Sequence, residues 1–370
     1  MTDVPFLDLG ESYRALKPEI DEAVARVLTS GWYVLGEEVE SFEKAFARYC
    51  GASHAVGLAN GLDGLHLALR ALGIGEGDEV IVPSNGYIAT WLGVSLAGAT
   101  PIPVEPDPLT HNIDPVLIEA AITPRTRAIM ALHLYGLPAD LAPIMDIAGR
   151  HGLRVVEDAA QAHGARYHGD KIGHHGDIVA WSFYPSKNLG ALGDAGAVTT
   201  KDADLAERIR TLRNYGSQER YVNRIQGVNS RLDPIQAAVL RVKLNHLDAW
   251  NAHRAKIAAR YAERLGDASN LTLPVEPEGL DSAWHLYVVR VPQRARVQEM
   301  LHRAGIGTQV HYPIPPHMQE AYAGLGYAAD DLPIARRLSE EVLSLPCGPQ
   351  MPLDAVDTVC DKLLESINAI

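Results

Sequence analysis

The sequence predicts an α/β fold: a mainly parallel seven-stranded sheet between helices, followed by a smaller α+β region. Three observations carry that expectation. Short β-branched runs alternate with longer amphipathic stretches over most of the chain. The chain has 370 residues, 47% of them hydrophobic and 21% charged, enough to build a sizeable core. Beyond residue 233 the alternation gives way to a long Ala-, Leu- and Arg-rich stretch and a different pattern.

The runs that read as strands are His54–Leu58, Glu79–Pro83, Pro101–Glu105, Ala128–His133, Arg154–Glu157, Asp177–Phe183 and Gly196–Thr200. Helical periodicity falls between them, at Leu62–Leu72, Ile88–Ala97, Pro115–Ile122 and Leu141–His151. Strand, helix, strand in this rhythm places helices on both faces of a parallel sheet. Asp233–Leu265 reads as one nearly unbroken helix leading out of it. Pro274–Asp281 looks like a connecting loop, Trp284–Val291 a strand and Arg294–Ala304 a helix. The division expected is a large domain over 1–245, with an N-terminal helix, and a linking helix with a small α+β domain over 246–370.

Charge and cysteine usage narrow the function classes. Lys+Arg number 33 against 46 Asp+Glu, a formal charge of −13 with no long basic tract, so neither nucleic acid nor an anionic membrane surface is an expected partner. Ile88–Ala99 is too short and too interrupted to cross a bilayer, and Met1–Asp8 has no basic region leading into an apolar core. Cys50, Cys347 and Cys360 form no CxxC pair, which fits a reducing compartment. A cytoplasmic enzyme is the expectation.

Ligands of open α/β sheets bind beyond the carboxyl ends of the strands. After His54–Leu58 comes Asn60-Gly61-Leu62-Asp63-Gly64, a glycine turn opening a helix, where free N–H groups attract phosphate. It is no GxGxxG, so a dinucleotide site is not expected, and a merely structural turn is the alternative. After Arg154–Glu157 comes Asp158-Ala-Ala-Gln161-Ala-His163. A carboxylate at a buried strand end is costly unless partnered, although a helix N-cap is an equally simple reading. A metal site drawing on Asp158, His163, His168, His174 and His175 lacks HxxxH or HExxH spacing. The third element is Ser182-Phe-Tyr184-Pro-Ser-Lys187, then Gly190 and Gly193-Asp194-Ala-Gly196. Its lysine lies between turn-forming residues on both sides. An anion cradle, a carboxylate and a fixed amine at neighbouring strand ends form the set that pyridoxal phosphate needs.

With these motifs on the page, the sequence closely resembles the sugar aminotransferases of the DegT/DnrJ/EryC1/StrS family. The likeness runs from Gly36-Glu-Glu-Val-Glu-Ser-Phe-Glu43 to His311-Tyr-Pro-Ile-Pro-Pro-His317. It takes in Gly77-Asp-Glu-Val-Ile-Val-Pro83, Glu157-Asp-Ala-Ala-Gln-Ala-His163, Ser182-Phe-Tyr-Pro-Ser-Lys187 and Gly227-Val-Asn-Ser-Arg-Leu-Asp233. The resemblance implies the aspartate-aminotransferase type I fold and pyridoxal 5′-phosphate as cofactor, with pyridoxamine phosphate as its intermediate form. It implies that Lys187 holds the cofactor and shuttles the proton, and that Asp158 keeps the pyridine nitrogen protonated. Gln161 would bond the ring hydroxyl and Tyr87 stack on the ring. The Gly61 and Leu62 amides and the Ser182 hydroxyl would hold the phosphate, and Asn229 would reach the phosphate of the other subunit, making a homodimer obligatory.

From Arg208 to Arg231 there are six arginines and one acid, Glu219. Arg208 and Arg210 read as a solvated helix face. Arg220 and Tyr221 suit a nucleotide diphosphate and its base, and Arg231 the donor carboxylate. Tyr184, His311, Tyr312 and His317 complete the expected substrate-binding set, with packing of the Pro-rich loop as the bland alternative for its members. Many members of the family carry Ser-Gly-Thr-Asp-Ala where this chain has Asn60-Gly61-Leu62-Asp63-Gly64, and Gly86 replaces a usual Thr. The local motifs resemble the subgroup acting on 3-keto sugars. The expected reaction moves the amino group of L-glutamate to C3 of a dTDP-linked 3-oxo-6-deoxyhexose. The same chemistry at C4 of a 4-oxo sugar, and an inactive regulator, are the alternatives; Lys187 argues against the dehydratase branch, which has histidine there.

Overall fold

A computed structural model describes residues 4–370. Three helices open the chain: α1 (Leu9–Ala15), capped by the Asp8 carboxylate, α2 (Lys17–Ser30) and α3 (Glu37–Cys50). The seven sequence-predicted strands all form: β1 (His54–Leu58), β2 (Glu79–Pro83), β3 (Thr100–Val104), β4 (Thr126–Leu132), β5 (Arg154–Asp158), β6 (Ile178–Ser182) and β7 (Gly196–Thr200). They make one sheet in the order β1-β7-β6-β5-β4-β2-β3. Pairs among β6, β5, β4, β2 and β3 are parallel, whereas β7 runs antiparallel to both β6 and β1.

Alternation along the strands sends side chains to two cores. Val179 and Trp181 of β6 join Phe42 and Phe46 of α3 on one face, with Leu141, Ile144 and Ile147 of α7 (Leu141–His151). Ile178 and Ala180 join Leu65, Leu67 and Leu69 of α4 (Gly61–Ala71) on the other, with Trp91 and Val94 of α5 (Ala89–Leu96) and Ile209 of α8 (Ala203–Arg213). A short helix, α6 (Pro115–Ile118), precedes β4. Each core side chain removes apolar surface from water at about 25 cal/mol per Å². A buried ion pair ties α3 to α8: Arg213 Nη1 donates to Glu43 Oε1 at 2.5 Å and to the Gly57 carbonyl at 2.7 Å, and the Gly57 amide donates to the same Glu43 oxygen at 2.8 Å.

The stretch expected as one helix divides into α9 (Pro234–Leu244) and α10 (Leu247–Leu265). At the join Asn245 and His246 close tighter, three-residue bonds to Val242 and Lys243, which ends the α-helical ladder and redirects the chain. The remainder packs around α10. Strands β8 (Ser217–Glu219) and β9 (Val222–Asn223) form an exposed hairpin before α9, and β10 (Tyr287–Arg290) pairs with β11 (Val342–Leu345) after it. Helices α11 (Arg294–Arg303), α12 (Pro333–Glu341) and α13 (Leu353–Asn368) complete the chain. Ile257 and Tyr261 of α10, Val297 and Leu301 of α11, and Val359 and Leu363 of α13 share the core of this region.

One carboxylate joins the sheet to this last region. Glu105 follows β3, and its Oε1 accepts from the Ile334 amide at 2.6 Å while Oε2 accepts from the Ala335 amide at 3.1 Å and Ser84 Oγ at 2.7 Å. The residue at the N-cap of α12, Leu332, supplies no side-chain cap, so Glu105 fills that role from across the fold.

Candidate active site

The carboxyl ends of β5 and β6 and the start of α4 open onto a cavity of 690 Å³. Of the residues singled out in the sequence, Gly61, Leu62, Tyr87, Asp158, Gln161, Ser182, Tyr184, Lys187, His311 and Tyr312 line it. The right-handed crossovers of a parallel sheet bring these strand ends together although they are far apart in sequence.

The anion cradle is built by one close approach. A Cβ on Gly61 would lie 2.7 Å from Ser182 Cβ and 3.0 Å from Ser182 Cα, so only glycine lets the start of α4 sit against the end of β6. Asn60 Oδ1 caps the Asp63 amide at 2.8 Å, leaving the Gly61 and Leu62 amides without acceptor among the described residues. Among the described residues Ser182 Oγ accepts only from the Tyr184 amide at 3.3 Å, so its proton is free to donate.

Lys187 is held by its neighbours on both sides. Its amide donates to the Tyr184 carbonyl at 2.8 Å, and a Cβ on Gly190 would run into the Pro185 carbonyl oxygen. Asn188 next to it donates from Nδ2 to Asn251 Oδ1 at 2.8 Å and to the Ala283 carbonyl at 2.7 Å, with His285 Nδ1 3.1 Å from its Oδ1. The Lys243 ammonium of α9 donates to the Gly190 carbonyl at 2.7 Å. Burial lowers the Lys187 amine from 10.5 to about 8, against the opposing pull of the Asp158 charge.

Asp158 is 4% exposed. Burial pushes its carboxyl up, against hydrogen bonds from Thr90 Oγ1 to Oδ2 at 2.8 Å and from the Ala160 amide to Oδ1 at 3.2 Å. Two bonds leave a carboxylate with unused acceptor capacity facing the cavity. Glu157, one residue earlier, points to the opposite core, where its Oε2 meets His133 Nε2 at 2.9 Å. The amide orientation of Gln161 follows from its contacts: Oε1 accepts from the Tyr135 amide at 2.6 Å, so Nε2 is the donor to the Tyr312 hydroxyl at 3.1 Å, with one N–H to spare. The Tyr87 ring at the mouth faces that of Tyr312, with centroids 5.2 Å apart. His311 Nδ1 lies 2.8 Å from Ser344 Oγ, and burial lowers its ring to about 4, keeping it neutral.

Five expected residues lie outside this cavity within the single chain. Arg220 lies over the Tyr221 ring at 4.9 Å in the β8–β9 hairpin, where Tyr221 is 84% exposed. Arg231 donates to Asn214 Oδ1 at 2.9 Å and stands 5.5 Å from the Tyr215 ring. Asn229 is exposed and pairs through its backbone with Asn214. His317 is buried, its Nε2 3.4 Å from the Ala329 carbonyl. Conversely, Thr90, Ser186, His285 and Gln309 line the cavity without having been given a role, and so does Asp194 of the glycine-rich segment after Lys187. Thr90 follows Tyr87 by three residues, and its amide closes a turn onto the Tyr87 carbonyl at 3.3 Å.

The residues fit pyridoxal phosphate. A glycine cradle with free amides takes the phosphate, a carboxylate with spare lone pairs takes a ring N–H, and a neutral-prone amine stands opposite it.

The family description that matches residues 14–364 is the DegT/DnrJ/EryC1/StrS aminotransferase family. The chain is 55% identical over 361 residues to the erythromycin biosynthesis sensory transduction protein EryC1 of Saccharopolyspora erythraea, covering 98% of this chain and 99% of that one. It is 52% identical over 360 residues to the dTDP-3-amino-3,6-dideoxy-alpha-D-galactopyranose transaminase of Aneurinibacillus thermoaerophilus, covering 97% and 98%. Among solved structures, DesV of S. venezuelae in complex with a ketimine intermediate superimposes with a TM-score of 0.97 at 53% identity, covering 99% of this chain and 98% of that one.

Proposed function

This chain belongs to the DegT/DnrJ/EryC1/StrS aminotransferase family, and from that premise we propose that it moves the amino group of L-glutamate to C3 of a dTDP-linked 3-oxo-6-deoxyhexose. The chain is an aminotransferase, and its family is pyridoxal-phosphate dependent. The observation that carries the reading is the convergence of Lys187, Asp158, Gln161 and the Gly61–Ser182 cradle on one cavity. The C3 position is supported by the 3-amino product in the name of the A. thermoaerophilus relative.

The cofactor, when bound, supplies an electron sink for the carbon that loses its proton. The chain's residues do the rest. The Gly61 and Leu62 amides and the Ser182 hydroxyl hold the phosphate at the positive end of α4. Asp158 accepts the pyridine N–H, and the spare N–H of Gln161 donates to the ring oxygen. Lys187 Nζ, neutral in a useful fraction of molecules because burial lowers its affinity for protons, takes the proton from the donor's α-carbon. Tyr87, Tyr184, His311 and Tyr312 shape the wall that receives the sugar.

A homodimer completes the site in this reading. Its support is the exposure of Trp32, Tyr33 and Val34, of Tyr221 and Val222 on the β8–β9 hairpin, and of Asn229, which would reach a partner's phosphate. Arg220, Tyr221 and Arg231 would then serve the nucleotide and the donor carboxylate. Among the described residues no helix is long and apolar enough to cross a membrane, and a cytoplasmic location fits the substrates proposed.

The test has two stages. L-Glutamate is expected to bleach the absorbance of the lysine-bound cofactor in the wild type. After the donor is removed, a dTDP-3-oxo-6-deoxyhexose restores it and a 4-oxo isomer does not. Restoration by the 4-oxo sugar alone moves the reaction to C4. Absence of any cofactor band after pyridoxal phosphate is added, or an unaltered band in Lys187→Ala, overturns the enzyme reading.

A further inference from the structure

We propose that Thr90 is a positioning residue that fixes the Asp158 carboxylate in the orientation that receives the cofactor's ring nitrogen, and that the turn from Tyr87 into α5 thereby sets the ring's stacking partner and its charge partner together. The inference rests on the pyridoxal phosphate reading above. Thr90 is the second residue of α5, so no helical carbonyl lies four residues before it for its hydroxyl to bond. It is 1% exposed and donates to Asp158 Oδ2 at 2.8 Å, across 68 positions of sequence.

The two bonds to Asp158 are not equivalent. The Ala160 amide reaches Oδ1 at 3.2 Å from two residues along the same turn, so it moves with the carboxylate's own backbone. Thr90 is the contact that comes from another element and therefore the one that stops rotation about the side chain. A carboxylate buried to this degree and left with one hydrogen bond is driven toward its protonated form or a rotated one. A protonated Asp158 with its proton toward the cavity offers a donor where the pyridine N–H needs an acceptor.

The helix that carries Thr90 is itself locked. Trp91 Nε1 donates to the Pro83 carbonyl at 2.9 Å, pinning α5 to the end of β2, and the Thr90 amide reaches the Tyr87 carbonyl at 3.3 Å. Tyr87 and Thr90 thus enter the cavity from one turn of chain, the first against the ring face and the second behind the carboxylate at the ring nitrogen. Charged and titratable groups facing Asp158 from the other elements are Lys187 after β6, His133 after β4 and the Tyr312 hydroxyl, which is bonded to Gln161 Nε2. The His133 ring is committed elsewhere, with Nε2 toward Glu157 and Nδ1 accepting from the Ala139 amide at 3.0 Å, so it does not substitute for the Thr90 hydroxyl.

The experiment compares wild type, Thr90→Val and Thr90→Ser by the affinity of the purified protein for two probes, pyridoxal phosphate and its 1-deaza analogue, in which carbon replaces the ring nitrogen. The wild type is expected to prefer pyridoxal phosphate. In Thr90→Val, which keeps shape and volume, that preference falls by about tenfold or more, the low end for a lost hydrogen bond to a charged group. Thr90→Ser, which restores the hydroxyl, recovers it. A preference unchanged in Thr90→Val overturns the proposal, and so does failure of Thr90→Ser to recover it while both variants melt like the wild type. If Thr90→Val does not fold, Thr90→Ser against Thr90→Cys, with its weaker donor, gives the same comparison. Failure of the wild type to bind either probe refutes the cofactor reading instead, which keeps the two failures distinct.

Discussion

The Lys187 amine offers the sharpest test, because its environment sets a number. Burial lowers it from 10.5 to about 8, with Asp158 pulling the other way. At pH 7 a group titrating at about 8 is neutral in roughly one molecule in ten, against roughly three in ten thousand at 10.5, a gain of about 300-fold in nucleophile. Capture of pyridoxal phosphate by the apo-protein, followed by stopped-flow absorbance, is expected to accelerate with pH and level off above about 8. Asp158→Asn removes the charge that favours the ammonium form, so the midpoint moves to lower pH even though the variant loses transamination. The same shift has a stability counterpart of defined sign. Between about 8 and 10.5 the unfolded chain binds the proton that the folded chain has lost, so stability rises with pH there, and the penalty is fully present below 8. Apo Lys187→Met is therefore more stable than apo wild type at pH 7, with the gap closing as pH rises. A capture midpoint near 10, an upward move in Asp158→Asn, or a stability gap independent of pH refutes the reasoning.

Gly61→Ala puts a methyl group 2.7 Å from Ser182 Cβ and 3.0 Å from its backbone, so α4 is expected to withdraw from β6 and the affinity for pyridoxal phosphate to fall by at least tenfold, measured by equilibrium dialysis; wild-type affinity would remove the close approach from the phosphate argument. Arg213→Met leaves the buried Glu43 carboxylate with only the Gly57 amide and is expected to destabilise the protein by about 3 kcal/mol in urea unfolding, with the paired Glu43→Leu change restoring part of the loss. A loss below about 1 kcal/mol would mean that the pair is solvated in solution.

The sheet was legible because its signals are local. Each strand is a short apolar run between polar or turn-forming residues, and the residues after β5 and β6 announce their chemistry through burial and turn chemistry within ten positions. The likeness to a family then supplied roles that no spacing carries, such as that of Gln161. What escaped was contact over distance. Nothing near Asn188 says that its amide will be shared with Asn251, Ala283 and His285, and nothing near Thr90 says which carboxylate its hydroxyl will find. The break between α9 and α10 escaped because Asn245 and His246 interrupt the ladder without a glycine or proline to mark it. Arg220, Tyr221 and Arg231 were chosen for side-chain chemistry and Asn229 from the family resemblance, and their placement outside the single-chain cavity reflects topology, which side-chain chemistry does not encode.

The carboxylate of Glu105 gives the chain a check on its own assembly. Helix α12 has nine residues and no cap of its own, so before the sheet exists it is a marginal helix whose first amides face water. Once β2 and β3 are paired, Glu105 and Ser84 stand beside each other and the helix acquires the acceptor it lacks. The C-terminal third is thus told, by one side chain, that the N-terminal sheet is complete. Amide exchange at Ile334 and Ala335 then reports docking between distant parts of the chain, and a strand fault near β3 would be felt first as fraying at a helix 229 residues away.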